Sequence, residues 1–458
     1  SQISTWNLWF TVIAGLVYIL AAVVIVKFCF NKEPDGRRQV LKFGAIFSNC
    51  GFMGFPMVQE VLGDRGMVYA AIINTIINIL EDSGLKTAIA APTGRAAKRI
   101  TETSGHYAST IHRLLEYYFS ESENRMRFGR TKENPLEYDA IIVDEASMID
   151  LLLMNGLVSA IRPGTRLIIV GDSDQLPSVG AGNVLRDIID SEYIYCTKLT
   201  EIFRQAKESM IVVNAHRINK GEYPDCNARD KDFFLLHRSR EKDMLQTIKE
   251  LCLTRLPDYY TDLSPVADIQ VLTPVRKGLL GSINLNKELQ EVLNPPNEAL
   301  EEKTFGDRTF REGDKVMQIK NNYQMAWKNL EDFTEGEGVF NGDVGFIRKV
   351  DREFNELTVV YDEVRYVTYH FNQLEELELA YAVTVHKSQG SEFPIVIMPI
   401  SWFPPMLATR NLLYTGVTRG KRVVVLVGSQ NKLEGMVDNN RIKERYSGLV
   451  YRLRRIFS

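Results

Sequence analysis

Two adjacent carboxylates, Asp144 and Glu145, follow an apolar run of β-branched residues at positions 141–143. Such a run predicts a buried strand that delivers both acids to the edge of a sheet. Nucleotide hydrolases hold Mg²⁺ and polarise the attacking water at this kind of position. The pair therefore predicts the chemistry of nucleotide hydrolysis.

The phosphate-binding loop that this chemistry needs is absent from the sequence. Such a loop is rich in glycine, ends in Gly-Lys-Ser/Thr and cradles the phosphates. The 458 residues contain a single Gly-Lys pair, Gly420-Lys421, which is followed by Arg422 and has Thr415 where the loop needs its first glycine. The sequence thus predicts most of a nucleotide-driven motor without its phosphate cradle.

A second junction between a strand and a helix also carries polar groups. Residues 87–91 predict a strand, and the loop Pro92-Thr93-Gly94-Arg95 leads from it into a basic helix. Backbone N–H groups, a hydroxyl and cations at such a junction suit an anion. The alternative is a plain loop followed by a solvated helix, and the residues alone leave both interpretations open.

Gln175 stands just after another predicted strand, at residues 167–170, and after Gly171-Asp172. A glutamine fixed at a strand end can hydrogen-bond both a catalytic water and a phosphate oxygen. This position predicts a residue that reports which nucleotide is bound.

Four basic or imidazole side chains complete the set of candidates. Arg204 follows Ile202-Phe203 at an apparent domain edge, and Arg419 precedes a predicted strand at residues 423–427. His386 and Lys387 belong to the run Thr384-Val385-His386-Lys387-Ser388-Gln389-Gly390. Surface ion pairs for the arginines and a satisfied loop position for His386 remain open alternatives at each single site.

Length and composition indicate an ordinary multidomain protein. The chain has 458 residues, a formal net charge of −3 and 25% charged residues, so two or three domains are expected and nucleic acid is neither required nor excluded. Five cysteines are scattered without a Cys-x-x-Cys spacing. They predict neither a disulfide framework nor a zinc site, and they favour a reducing compartment.

The first sixty residues differ sharply from the rest in hydropathy. Residues 8–30 are almost wholly apolar and long enough for a membrane helix, and basic residues cluster between 27 and 42. A second uncharged stretch at residues 43–58 contains glycines and a proline, as packed transporter helices do. We therefore predict a transmembrane α-helical segment, with membrane association through residues 8–58.

This N-terminal stretch resembles the auxin efflux carrier family over residues 5–75. The resemblance rests on the run from Phe47 to Pro56, on Gly63-Asp64-Arg65-Gly66 and on Tyr69-Ala70-Ala71. So short a piece implies no transport function.

The remaining motifs form one ordered series that resembles the superfamily 1 DNA helicases, most closely the RecD-like branch that includes the exodeoxyribonuclease V alpha subunit. The series is Thr-Gly-Arg, Asp-Glu-Ala-Ser, Gly-Asp-x-Asp-Gln, Phe-Arg-Gln, His-Lys-Ser-Gln-Gly and Tyr-x-x-x-Thr-Arg, between about residues 74 and 430. The resemblance implies an α/β fold in which two RecA-like parallel-sheet domains carry a small SH3-like β insertion. The domains expected are a carrier-like fragment (1–72), a first RecA-like domain (73–205), a second one (206–309 and 372–430), the insertion (310–371) and a basic C-terminal helix (431–458).

The same resemblance implies roles for individual residues, with ATP and Mg²⁺ as cofactors and single- or double-stranded DNA as partner. Asp144 would bind Mg²⁺, Glu145 would orient the hydrolytic water, and Gln175 would couple the γ-phosphate to DNA. Arg204 and Arg419 would stabilise charge on the transferring phosphoryl group. Nucleotide contacts are expected at Gly171, Asp172, Gly390 and Glu392, and DNA contacts at Pro92, Thr93, Gly94, Arg95, His112, Thr384, His386 and Lys387.

The departures from the family shape the functional hypothesis. We expect an ATP-dependent DNA helicase, moving 5′ to 3′ by resemblance and located in the cytoplasm, whose hydrolysis is impaired because the phosphate loop is missing. One alternative is a membrane-tethered single-stranded DNA-binding protein without ATPase activity. Another is a chimera of carrier and helicase joined at about residues 70–74, with no native function.

Overall fold

The computed structural model describes residues 73–120, 124–199, 209–226, 232–441, 445 and 447–457. The described residues from Ile76 onward belong to one compact unit. The predicted membrane segment, nearly all of the carrier-like stretch and Arg204 lie outside the described residues. Within those ranges, no helix combines the length and the apolarity that a membrane crossing requires.

The first domain is built on four parallel strands in the order β2-β1-β5-β6. Its strands are β1 (Thr87–Ala91), β2 (Ala108–Thr110), the hairpin β3 (Tyr117–Ser120) and β4 (Arg125–Phe128), β5 (Ala140–Val143) and β6 (Arg166–Ile169). Its helices are 73–82, Gly94–Ser104, Ile111–Leu114, Leu151–Ala160 and Val184–Ser191.

The central position of β5 follows from its composition. All four residues of Ala140–Val143 are fully buried, as a strand covered on both faces must be. β5 pairs with β1 on one side and with β6 on the other. β6 forms the edge of the described sheet, and its residues are exposed or half-buried.

The second domain and its insertion account for the strands after residue 209. They are, in chain order, β7 (Phe233–His237), β8 (Ile269–Thr273), β9 (Glu302–Phe305), β10 (Arg308–Arg311), β11 (Lys315–Gln318), β12 (Asn322–Asn329), β13 (Glu335–Val339), β14 (Val344–Asp351), β15 (Glu356–Tyr361), β16 (Arg365–His370), β17 (Leu377–Leu379), β18 (Ala382–Thr384), β19 (Phe393–Ile400) and β20 (Gly420–Gly428). The helices of this region are Met210–Lys220, Glu241–Glu250, Leu256–Tyr259, Ser282–Leu293, Arg410–Val417, Gln430–Asp438 and Leu449–Phe457.

Five of these strands make the parallel sheet of the second domain, in the order β18-β8-β19-β20-β7. β8 is buried along its whole length, and β19 almost so. This is the continuous apolar pattern that a parallel sheet covered on both faces shows. Helices of both domains begin at the carboxyl ends of strands, where ligands bind in open α/β sheets.

The insertion is an antiparallel sheet of seven strands in the order β13-β12-β16-β15-β14-β11-β17. It runs from Lys315 to Leu379 and therefore ends later than the expected boundary at residue 371. The late member, β17, pairs with β11 through Val316 and Leu379. A strand of three residues is too short for its alternation to be recognised in the sequence, which explains the difference.

The C-terminal region differs from the single basic helix expected over residues 431–458. Helix Gln430–Asp438 instead packs Leu433, Met436 and Val437 into the second-domain core. A separate helix, Leu449–Phe457, begins eleven residues after the first one ends. The first helix packs on the core because one of its faces is apolar, and a solvated basic helix would leave that face exposed to water.

Candidate nucleotide and DNA site

Asp144 and Glu145 lie directly after β5, as the sequence predicts. The amide of Asp144 donates to the Ala90 carbonyl over 3.0 Å, and its carboxylate accepts from the Glu145 amide over 2.7 Å. Glu145 has a left-handed backbone with φ of 51°. Such a conformation is uncommon for a residue with a side chain and is often found at functional sites.

The Asp144 carboxyl group is poorly stabilised as an anion by the protein itself. It is 9% exposed. Burial, and then the neighbouring charge of Glu145, raise its pKa to about 7, although the Glu145 amide and Arg99 act in the opposite direction. A bound divalent cation would favour the ionised form. The surroundings of the carboxyl group are therefore compatible with a bound cation.

The donor set fits Mg²⁺ held jointly with a phosphate. Among the described residues, no group of three or more possible metal-ligating side chains comes together. Mg²⁺ commonly takes one or two carboxylates, with water and phosphate oxygens completing its shell. Asp144 would supply the protein ligand, and the metal would neutralise charge on the phosphates.

Gly171 brings the end of β6 against the segment after Asp144. A Cβ atom at this position would lie 2.9 Å from the Ala146 amide nitrogen and 3.1 Å from the Leu185 side chain. No larger residue fits this approach without a shift of the backbone. The glycine thus allows the end of β6 to lie against Ala146, two residues after Asp144.

The side chain of Asp172 connects the first domain to the second. Its Oδ2 accepts from the Tyr414 hydroxyl over 2.8 Å and from Gln175 Nε2 over 3.3 Å. The position of Asp172 was expected from the sequence, whereas the contact with Tyr414 was not. Tyr414 belongs to the Tyr-x-x-x-Thr-Arg motif. The motif marks this tyrosine in the sequence but does not indicate that it contacts Asp172.

Gln175 and Ser147 each keep a polar atom for a ligand. Gln175 is 8% exposed, and neither its Oε1 nor the Ser147 hydroxyl has a hydrogen-bond partner among the described residues. Buried polar atoms without partners are rare because each costs free energy. A water or a phosphate group could supply the missing bonds, which agrees with the role predicted for Gln175.

Leu176 follows Gln175, and its backbone amide and carbonyl both form hydrogen bonds with side chains of the second domain. The Leu176 amide donates to Thr415 Oγ1 over 3.0 Å, and Gln389 Nε2 donates to the Leu176 carbonyl over 2.8 Å. Asn411 Nδ2 also donates to the Asp174 carbonyl over 2.9 Å. The loop that carries the predicted sensor is therefore hydrogen-bonded to the second domain at three points.

Arg419 is buried and bonded within its own domain. Its guanidinium group donates to the carbonyls of Thr415 and Ser391 and to the Thr418 hydroxyl, over 3.1–3.2 Å. In this arrangement it has no contact with the first-domain carboxylates. Its predicted action on a transferring phosphoryl group would require these bonds to be exchanged. Arg204, the other predicted arginine, lies outside the described residues.

Glu392 forms ion pairs instead of an open nucleotide contact. Its carboxylate is 2.7 Å from the Arg99 guanidinium and 3.3 Å from Lys421 Nζ. Burial raises the pKa of Glu392, but Arg99, Lys421 and Arg419 outweigh burial and hold it below its usual value. The residue therefore acts as a connection between the two domains, and its contact with nucleotide stays a prediction.

The loop after β1 and the run before β19 meet across the domains. Thr93 caps helix Gly94–Ser104 by accepting from the Ala96 amide over 3.2 Å. Arg95 donates to Ser391 Oγ over 2.5 Å, and its guanidinium carbon lies 5.8 Å from the Phe393 ring centre. A Cβ atom at Gly390 would lie 3.3 Å from Thr93 Oγ1. The loop Pro92–Arg95, predicted to contact DNA, thus lies against Gly390, which was predicted to contact nucleotide.

Lys387 and Thr384 line a small cavity beside the insertion. Lys387 Nζ lies 2.7 Å from a Glu378 carboxylate oxygen, and Arg276 lies 2.9 Å from the other. The neighbouring His386 is half-buried, and burial together with Arg445 lowers its pKa. Lys387 and Arg276 thus share the single carboxylate of Glu378. The sequence analysis identified neither Arg276 nor Glu378, which also line the cavity.

His112 is placed differently from the other predicted DNA contacts. Its ring lies 5.1 Å from that of Tyr117 in an edge-on arrangement and 6.2 Å from that of Phe128. Burial lowers its pKa, with Asp150 acting in the opposite direction. The imidazole is thus a neutral member of an aromatic cluster, and its contact with DNA remains a prediction.

Comparison with protein families divides the chain into three consecutive matches. Residues 57–181 match the family described as AAA domain, residues 285–361 the ATP-dependent RecD-like DNA helicase SH3 domain, and residues 379–427 the UvrD-like helicase C-terminal domain. The first match begins seventeen residues before the resemblance recognised at Asn74.

Known relatives agree with these matches, and solved structures show a more distant similarity. The ATP-dependent RecD2 DNA helicase of Deinococcus radiodurans is 32% identical over 86% of this chain and 50% of its own length. The RecBCD enzyme subunit RecD of Mycolicibacterium smegmatis is 29% identical over 81% of this chain and 66% of its own. The crystal structure of Pif1 helicase from Candida albicans is 17% identical, covers 87% of this chain and 98% of that one, and has a TM-score of 0.47.

The two parallel sheets, the carboxylates after β5 and the family matches define a superfamily 1 helicase core. Because the insertion matches the SH3 domain of RecD-like helicases, the chain belongs to the RecD-like branch of that superfamily. The chain spans between half and two thirds of the length of the RecD2 and RecD relatives.

Proposed function

We propose that the chain is the core of an ATP-dependent DNA helicase that uses ATP and Mg²⁺. The observation that carries this proposal is the arrangement around Asp144. A buried carboxylate with a pKa of about 7 and an unpartnered Gln175 oxygen belong to one domain. The loop of that glutamine is bonded to the other domain. A ligand at this edge is therefore coupled to domain movement.

The residues divide the work of hydrolysis by their position. Asp144 would hold Mg²⁺, which supplies positive charge to the phosphates. Glu145 orients the attacking water and accepts its proton. Gln175 offers its free Oε1 to that water, and it transmits the state of the site through Asp172 to Tyr414. Arg419 completes charge stabilisation only when its present bonds to carbonyl oxygens are exchanged.

We further propose that hydrolysis by this chain is impaired. The 458 residues hold no Gly-Lys-Ser/Thr loop, so neither the lysine that neutralises the β- and γ-phosphates nor the hydroxyl that reaches Mg²⁺ is supplied. In phosphoryl transfer, most catalysis comes from such positioning and charge stabilisation. The resemblance to RecD-like helicases supports 5′-to-3′ movement along DNA.

The test is steady-state ATP hydrolysis by the full chain, with and without single-stranded DNA, alongside the Glu145→Gln variant. We expect weak turnover that falls at least about a hundredfold in the variant, because the residue that acts on the water is lost. An Asp82→Asn variant, changed at an exposed helix end, serves as a charge-matched control. DNA-stimulated turnover as fast as that of an intact helicase, abolished by Glu145→Gln, would contradict the impairment. Turnover unaffected by Glu145→Gln would contradict the assignment of the site.

A second candidate function is single-stranded DNA binding without hydrolysis. It is favoured by the cations that gather at the junction of the two domains and the insertion, namely Arg95, Lys98, Arg99, Arg276 and Lys387. Contacts of this kind give affinity that falls with salt and does not depend on nucleotide. Salt-sensitive binding that is unchanged by ATP, together with no measurable turnover, would favour it. Residues 8–58, which are predicted to tether this alternative to a membrane, lie outside the described residues.

A further inference from the structure

One face of helix Gly94–Ser104 is engaged by the insertion. Lys98 Nζ forms an ion pair with Asp362 Oδ1 and lies 3.4 Å from Glu102 on its own helix. The side chains of Lys98 and Asp362 remain 41% and 27% exposed. The pair therefore joins a helix that follows the predicted DNA-binding loop to a distant part of the chain.

The insertion holds Asp362 in a fixed orientation. The residue lies in the turn between β15 and β16, where Asp362 and Glu363 have φ of 53° and 66°. Arg365 donates to Asp362 Oδ2 through Nε over 2.8 Å and through a terminal nitrogen over 2.5 Å. One carboxylate oxygen is thus taken by Arg365, and the other is directed to Lys98.

Packing supports the same contact at the beginning of the helix. A Cβ atom at Gly94 would lie 3.0 Å from the Phe340 side chain. The Phe340 ring in turn lies 5.6 Å from that of Tyr323, edge to face. The insertion therefore touches the segment Thr93–Arg95 itself, in addition to the ion pair one turn further along the helix.

We propose that Lys98 is a DNA phosphate contact and that Asp362, in the free protein, occupies the place of that phosphate. The insertion then competes with single-stranded DNA for the helix, and binding requires the Lys98–Asp362 pair to open. This inference rests on the DNA-binding part of the proposed function and adds to it a residue and an internal competitor.

The chemistry of the two anions explains why they compete. A carboxylate and a phosphate diester each carry one negative charge, and a lysine ammonium group is a compact point charge that pairs with either. An ion pair as exposed as this one contributes little to stability. It can therefore open reversibly, and while closed it lowers the affinity for DNA.

The test measures binding of a fluorescently labelled oligothymidine by the full chain across a salt series. The variants are Asp362→Asn, Glu363→Gln, Lys98→Gln and the double variant of Asp362 and Lys98. Glu363 is an exposed carboxylate in the same turn, so its variant removes the same charge one residue away. Asparagine tolerates a positive φ as aspartate does, which preserves the turn.

We expect Asp362→Asn to raise affinity roughly twofold to fivefold, the range that opening one exposed ion pair allows. Lys98→Gln should make the slope of log affinity against log salt shallower by about 0.7, because one phosphate contact is lost together with the counterion that the DNA releases when it forms. Glu363→Gln should change neither quantity. The gain should vanish when Lys98→Gln is combined with Asp362→Asn.

Three results would overturn the competition. They are unchanged affinity in Asp362→Asn, an equal gain in Glu363→Gln, and a gain that persists without Lys98. An Asp362→Gly variant repeats the test with a residue that accepts a positive φ, so a folding defect in one variant does not decide the outcome. If wild type and all variants fail to bind even at low salt, the DNA-binding function itself is contradicted along with the competition.

Discussion

Two buried carboxylates on opposite sides of the domain junction have opposite electrostatic surroundings. Asp144, after β5 of the first domain, has a pKa raised to about 7 by burial and by Glu145. Glu392, before β19 of the second domain, has a pKa held below its usual value by Arg99, Lys421 and Arg419 despite burial. Arg99 acts on both groups but forms its ion pair with Glu392.

The difference separates a binding group from a structural one. Ionised Glu392 is already neutralised by cations from both domains, so its charge stabilises the closed junction. Among the described residues, the donor to ionised Asp144 is a backbone amide alone, so the buried charge costs free energy unless a cation is bound. The first domain therefore contributes a carboxylate, Asp144, whose charge is not balanced by the protein. The second domain contributes a carboxylate, Glu392, whose charge is balanced by ion pairs across the junction.

The largest effect is expected from Asp144→Asn, measured without divalent cations. The unfolded chain releases this proton near pH 3.8 and the folded protein near pH 7. Between these values the folded state binds more protons, so wild-type stability falls as pH rises. The variant escapes that loss, and its advantage should grow with pH to at most about 4 kcal/mol, since each pKa unit is worth about 1.4 kcal/mol.

Urea unfolding at a series of pH values measures this advantage. Asparagine keeps the oxygen that accepts from the Glu145 amide, so the local hydrogen bond is preserved. Asp139→Asn, at the other end of the same strand, is a control with the same loss of charge. A stability difference that does not vary with pH would show that Asp144 ionises normally and would remove the contrast with Glu392.

The second effect is expected from Glu392→Gln. Because the variant leaves Arg99, Arg419 and Lys421 without their shared anion, we expect a loss of about 1–3 kcal/mol at neutral pH. The pKa of Glu392 is lowered, so its contribution is present above the ordinary glutamate value and disappears as pH falls through the lowered one. Denaturant unfolding at neutral and acidic pH measures both.

Glu375→Gln is the matched control for Glu392. Its carboxylate pairs with Lys320 while 60% exposed, so its loss should leave the stability nearly unchanged. The Glu392 variant should also free Arg99 and move the titration of Asp144 to lower pH. Equal stability changes at Glu392 and Glu375 would show that the junction pair is no stronger than a surface pair.

The smallest effect is expected from Tyr414→Phe, which removes the hydroxyl bonded to Asp172. We expect a loss of about 0.5–1.5 kcal/mol, the net value of one such hydrogen bond. Tyr223→Phe is the control, because its hydroxyl bonds Asp438 at an exposed site. Calorimetric unfolding measures both changes. A variant as stable as wild type would indicate that Asp172 is not a firm connection between the domains.

Strands and motif positions were predictable because their signals are local. The apolar run before Asp144 specified β5, and Gly171-Asp172 marked the end of β6. Short alternating runs at residues 314–319, 345–350 and 357–361 predict three strands of the insertion, and the structure has β11, β14 and β15 there. Each conclusion needed only the side-chain period and the residues beside it.

Partners across the fold were not predictable from the same signals. Nothing in a basic helix shows that Lys98 faces Asp362, that Arg99 faces Glu392, or that Phe340 closes against Gly94. These contacts depend on how three sheets are arranged, and charge alone leaves many equivalent pairings. Likewise, the residues of helix Gln430–Asp438 showed their apolar face only against the core that receives it.

The hydrogen bonds to the backbone of Leu176 affect which substitutions the protein tolerates at this position. Thr415 and Gln389 bond the amide and the carbonyl of this residue, which are common to almost every amino acid. Only proline lacks the amide hydrogen. Substitutions of the Leu176 side chain can therefore alter packing. The hydrogen bonds between the sensor loop and the second domain use main-chain atoms, so all substitutions except proline should preserve them.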